Sequence, residues 1–97
     1  MKYDGFEIGI RAFNARENKN MKQTELSQAL GIHQATYSKF ENGRYDMPLS
    51  QVIKLCDYLD MPVSWLVGEN PLLNDLTNDE LIEVMRFIKY VKSKRKQ

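Results

Sequence analysis

Between Gln23 and Gly43 the apolar positions fall into two short helical stretches. Leu26, Ala29 and Leu30 share one face of the first. Gly31 follows as a C-cap, where a positive φ is cheap only for glycine. Ile32 plugs the turn. The second stretch starts at His33, places Tyr37 and Phe40 three apart on one side, and ends at Gly43. Upstream, Ile8, Ala12 and Ala15 predict a helix over about Asp4–Asn18, with residues 1–5 frayed or extended. Ile10 and Phe13 lie off that stripe and either widen the core face, the favoured reading, or leave an apolar patch for a partner. Downstream, Leu49, Val52, Ile53, Cys56 and Leu59 trace a helix from Pro48 to Leu59, with Asp46 as its cap and Pro48 in its first turn. A short fifth helix follows Met61-Pro62-Val63 and runs through Val67; its Trp65 and Leu66 close the core, and Gly68 ends the unit. Residues 69–76 read as a linker. Thr77 and Glu80 form a capping-box signature for a last helix, on which Leu81, Val84, Ile88 and Val91 repeat at three, four and three, broadened by Met85 and Phe87. The pattern predicts an all-α chain: a five-helix unit over 1–68 and a C-terminal helix over 77–97.

A short helix, a turn containing Gly and a second short helix make the helix-turn-helix unit, which sets its second helix in the DNA major groove. The face of that helix opposite Tyr37 and Phe40 carries Gln34, Ala35, Ser38 and Lys39. Gln can bond bidentately to adenine, and a small apolar group can sit against a thymine methyl. The same residue types also make an ordinary solvated face, so the pattern alone leaves both readings open.

The order and spacing of Arg16, Gln23, Glu25-Leu26, Leu30-Gly31-Ile32, Phe40-Glu41-Asn42-Gly43, Cys56-Asp57-Tyr58-Leu59 and Trp65-Leu66-Val67-Gly68 resemble the lambda-repressor-like, Xre-type regulators from about Ile8 to Gly68. The resemblance implies a sequence-specific DNA-binding regulator, a repressor acting as a homodimer on an inverted-repeat operator. By it, Gln34, Ala35 and Lys39 face bases, with Ser38 beside them. Gln23, Thr36, Asn42, Gly43 and Arg44 position the DNA backbone, and Gln23 also orients Gln34. His33 takes the place of a Ser or Thr and is either a surface cap or a phosphate contact. Arg16 is expected to pair with Glu41 as a structural ion pair. Lys22 replaces a capping hydroxyl, so Asn20 or water must serve there. Related folds also serve as antitoxins, as restriction-system controllers, and as interaction modules that have lost DNA binding.

Charge qualifies this picture. Residues 1–76 hold 8 Lys/Arg against 10 Asp/Glu, a net charge near −2, while residues 77–97 hold 6 against 3, near +3. The DNA-reading part therefore depends on local cations, Lys19, Lys22, Lys39 and Arg44, rather than on bulk charge. One cysteine and one histidine assemble no metal cluster and no intramolecular disulfide, which suits a reducing cytoplasm. Nothing pairs a nucleophile with a base, so no catalytic residue, metal or cofactor is expected. No apolar run is long enough for a membrane span. The seam of Leu81, Val84, Ile88 and Val91 either folds back on the domain or, as favoured here, pairs with a second copy; the other expected partners are double-stranded DNA and a regulatory protein, in the cytoplasm.

Overall fold

Small residues decide how the first helix sits. In the computed structural model, which describes residues 4–96, α1 spans Gly5–Asn18 and buries Gly9, Ala12 and Ala15. A Cβ built on Gly9 would lie 2.3 Å from the carbonyl oxygen of Glu41, so only glycine permits this approach to the end of α3 (Gln34–Glu41). Of the large apolar side chains of α1, Ile8 packs against the core and the others face away. Phe6, Ile10 and Phe13 are exposed, Phe13 at 44%, so the expected widening of the core does not occur. Close backbone approach uses the small-residue face, and the bulky residues are left on the far side. Asp4 caps the helix by accepting from the Phe6 N–H at 2.9 Å. Of the expected extended N-terminus, residues 1–3 lie outside the described residues.

α2 covers Gln23–Leu30 and α3 Gln34–Glu41. Gly31 stands between them at φ 73°, as its place in the turn demands. Leu26, Leu30, Tyr37 and Phe40 are buried, with Ile32 partly so. Lys22 precedes α2 without an Asn20 cap; instead its own N–H donates to Glu25 Oε1 at 2.8 Å.

α4 spans Leu49–Leu59 and α5 Val63–Leu66. The buried face of α4 is Leu55, Cys56 and Leu59, with Val52 packed beside them, while Leu49 and Ile53 are exposed. The expected stripe is thus rotated toward Leu55. Asp46 provides no cap: Pro48 holds the N-cap position with no side-chain bond. Trp65 and Leu66 close the core, together with Met61.

Residues 69–76 form turns and are tied down. Asn74 Nδ2 donates to the Trp65 carbonyl at 3.0 Å, Asn70 Nδ2 to Ser64 Oγ at 3.2 Å, and Leu73 and Leu76 pack against the core. Thr77 and Glu80 then close the capping box at 2.8 and 3.2 Å. The last helix, α6, spans Asn78–Ser93 and ends in a 3-10 turn over Lys94–Lys96. It anchors through Leu81, only 3% exposed, and Met85. Beyond that point Phe87, Ile88, Tyr90 and Val91 are exposed. All regular elements among the described residues are helical.

Candidate nucleic-acid interface

The inner side of α3 fixes the direction of its outer side. Tyr37, Phe40 and Glu41 are buried, which leaves Gln34, Ala35 and Lys39 exposed and Thr36 and Ser38 at the margin. Tyr37 and Phe40 pack with ring centroids 5.9 Å apart. Burial, then the Glu41 carboxylate, pushes the Tyr37 hydroxyl well above its ordinary pKa, so it stays neutral. Among the described residues no hydrogen bond or ion pair engages the side chains of Gln34 or Lys39. An exposed face with unengaged donors is what base-edge contact requires.

The end of α3 is locked by a buried ion pair. Arg16 Nε donates to Glu41 Oε2 at 2.8 Å and Arg16 Nη2 to Glu41 Oε1 at 3.2 Å. The two residues are only 6% and 8% exposed. The hydrogen bond that Arg16 donates to Glu41 is the main reason that the Arg16 pKa is raised, against the opposing effect of burial. Arg16 Nη1 also donates to the Met21 carbonyl at 2.8 Å, tying α1 to the turn before α2. Two parallel bonds between guanidinium and carboxylate fix orientation as well as charge. This is the structural pair expected from the sequence.

Gln23 departs from expectation. Its Nε2 donates to Glu41 Oε1 at 2.9 Å, and no bond joins it to Gln34 among the described residues. The resemblance places Gln23 beside the first residue of the reading helix; the structure instead joins it to the buried carboxylate at that helix's other end. A primary amide has two N–H donors and an acceptor, so Gln23 keeps one donor and its carbonyl for another partner. The Gln23–Glu41 contact was missed because nothing at the level of spacing sets α2's first turn against α3's last.

The loop after α3 also differs in detail. The Asn42, Gly43 and Arg44 backbone N–H groups donate to carbonyls of α3, Arg44 to Lys39 at 2.8 Å. They are therefore spent internally rather than free for phosphate. Asn42 Nδ2 donates to the Ser38 carbonyl at 2.9 Å, and Arg44 is exposed, its side chain without a partner among the described residues. His33 occupies the N-cap of α3 at φ −68° and ψ 143° but makes no side-chain capping bond. Lys19 forms an ion pair with Asp60 after α4, which removes it from the set of free cations. Lys22, Lys39 and Arg44 remain exposed.

Cys56 is buried, and burial pushes its thiol up to about 11, so it is a neutral core residue. Among the described residues no group of three or more His, Cys, Asp or Glu is placed to hold a metal ion. Nor is any helix long and apolar enough to cross a membrane.

Known proteins share this arrangement. The sequence model of a helix-turn-helix family matches residues 14–66. The ImmF control region 10 kDa protein of Bacillus phage phi105 is 43% identical over 42 residues, which is 43% of this chain and 47% of that protein. Antitoxin PezA of Streptococcus pneumoniae is 24% identical over 82 residues, 84% of this chain and 52% of that protein. The chain thus spans about half the length of the curated relatives it matches. The crystal structure of the restriction-modification controller protein C.AhdI from Aeromonas hydrophila superposes with a TM-score of 0.61 at 25% identity, covering 65% of this chain and 96% of that one. With the end of α1, the α2–α3 pair, α4 and α5 inside the matched stretch, the chain belongs to the lambda-repressor-like helix-turn-helix family.

Proposed function

We propose that this chain is a sequence-specific DNA-binding transcriptional regulator that repairs to its operator as a homodimer and represses. The observation that carries the reading is the outer face of α3: Gln34, Ala35 and Lys39 are exposed, and the helix is held in place from behind by Tyr37, Phe40 and Glu41. Gln34 and Ala35 read base edges, and Lys39 reads a base or a neighbouring phosphate. The side chains of Gln23, His33, Thr36, Ser38, Asn42 and Arg44 border that face and position the phosphate backbone, while Gly43, its N–H bonded to the Phe40 carbonyl, shapes the turn that presents them. The ImmF and C.AhdI matches, a phage control-region protein and a restriction-modification controller, support regulation.

The test is selection of duplexes from a random pool by the full chain, followed by binding at several salt concentrations. A selective regulator enriches a symmetric motif. Its affinity falls with salt at a shallow slope, about −4 for a dimer that uses Lys39 and Arg44 on each half-site. A pool that stays random overturns the reading.

A second reading follows from PezA. A match over 82 residues reaches past the helix-turn-helix into α6, so the chain can be the antitoxin member of a pair. Isolation of a stable complex with the product of an adjacent gene distinguishes that case.

A further inference from the structure

Burial on α6 separates the residues of the Leu81, Val84, Ile88 and Val91 spacing. Leu81 is spent in the chain's own core, and Ile88 borders a groove with Asp60, Met85, Lys89 and Lys92 on the domain side. At helical spacing, Val84, Phe87 and Val91 form a second stripe, with Val84 half-buried at the margin of the domain and Phe87 and Val91 exposed, Phe87 at 64%. Tyr90 flanks it: its ring centroid lies 6.4 Å from that of Phe87, and Lys94 Nζ sits 5.4 Å over the Tyr90 ring.

Continued in both directions, the stripe ends in opposite charges. Glu80 stands four residues before Val84, and Lys94 and Arg95 stand three and four after Val91. Glu80 uses one carboxylate oxygen in the capping box and keeps the other. Glu83 lies on the same flank as Lys94. A parallel partner would set Glu80 against Glu80 and the basic end against itself. An antiparallel partner sets Glu80 against Lys94 and Arg95 at both ends, and Val84 against Val91 about the centre at Phe87 and Ile88.

We propose that α6 pairs antiparallel with α6 of a second copy along Val84, Phe87 and Val91. This rests on the homodimer reading and gives it a geometry. The occupant is a second copy because the charge pattern of the seam is complementary to itself only when reversed. Four turns of helix make a short interface, so the dimer is weak and its population follows concentration.

The test uses the full chain without DNA. Val84→Cys and Val91→Cys chains are made, mixed and oxidised with a glutathione buffer; Cys56 is buried, and the wild-type chain serves as the blank. A disulfide needs Cα atoms about 4–7 Å apart. Antiparallel pairing gives the mixed 84-to-91 species as the main product. Predominant 84-to-84 and 91-to-91 species mean parallel pairing and overturn the proposal, as does the absence of any cross-link.

Sedimentation across a micromolar concentration series supplies the second arm, with helicity checked by circular dichroism. Lys94→Glu with Arg95→Glu weakens dimerisation roughly tenfold, and adding Glu80→Lys restores it. Indifference to both overturns the pairing. A chain that stays monomeric yet selects a duplex refutes this proposal alone. A chain that pairs as described yet selects none refutes the DNA reading alone.

Discussion

α1 and α6 are the two longest helices, and they use their apolar residues in opposite ways. α1 buries Gly9, Ala12 and Ala15 and leaves Phe6, Ile10 and Phe13 outside. α6 buries one large residue, Leu81, and leaves its distal half uncovered. In α1 the controlling quantity is distance: small residues let its backbone reach the end of α3, where the Arg16–Glu41 pair fastens it. In α6 no hydrogen bond or ion pair to the domain follows Met85 among the described residues, and Ile88, Lys89 and Lys92 only line a groove with Asp60. Large apolar residues therefore do not mark the tightest contact in this chain. The tightest contact is built from glycine, alanine and a buried ion pair.

If that contrast is right, the greatest losses of stability come from α1–α3 and the smallest from distal α6. Glu41→Ala leaves Arg16 buried without its carboxylate and costs about 3–5 kcal/mol, read as a fall in the urea midpoint. The same change also frees Gln23, so DNA affinity must be compared at a temperature where the variant is folded. Gly9→Val forces a side chain into the Glu41 carbonyl and costs about 3 kcal/mol. Leu81→Ala removes the anchor of α6 and costs about 2–3 kcal/mol. Phe87→Ser, on the exposed stripe, shifts the melting of the dilute monomer by less than about 0.5 kcal/mol. Should Phe87→Ser unfold the monomer as readily as Gly9→Val, the contrast between the two helices is lost.

A smaller effect concerns Cys56. Its thiol, held up to about 11 from an ordinary 9.0 by burial, keeps its proton in the folded chain over a range where the unfolded chain has lost it. Stability therefore falls as the pH rises between these two values, and Cys56→Ala removes that part of the alkaline loss. Below pH 9 the thiol should resist a thiol reagent until the chain unfolds.

Much of this architecture was legible in the sequence because the turn chemistry was explicit. Gly31, the Thr77–Glu80 capping box and the Tyr37/Phe40 pair each name a local geometry that needs no tertiary knowledge. The helices were also placed to within a residue or two, except that α6 ends at Ser93 rather than running on to 97. What spacing could not supply was which side of an amphipathic helix wins when both sides carry apolar groups. Ile10, Phe13, Leu49 and Ile53 were all assigned inward and all lie outside. Gly5, Gly9 and Ala12, four and three apart, were the readable signal for the true face of α1. The site was legible as an outward face but not in its bonds. The resemblance pairs Gln23 with Gln34, whereas the structure joins it to Glu41, a residue whose carboxylate has room for both Arg16 and an amide.

The central claim is that the outer face of α3 reads sequence, and Gln34 tests it most directly. Affinity for the selected duplex and for a scrambled one should be measured side by side for the wild type and Gln34→Ala, at one salt concentration. The account predicts that Gln34→Ala loses about 1–3 kcal/mol on the selected duplex and little on the scrambled one, so that selectivity collapses while folding is unchanged. Equal selectivity in the two chains would contradict it, and would move the reading surface away from α3.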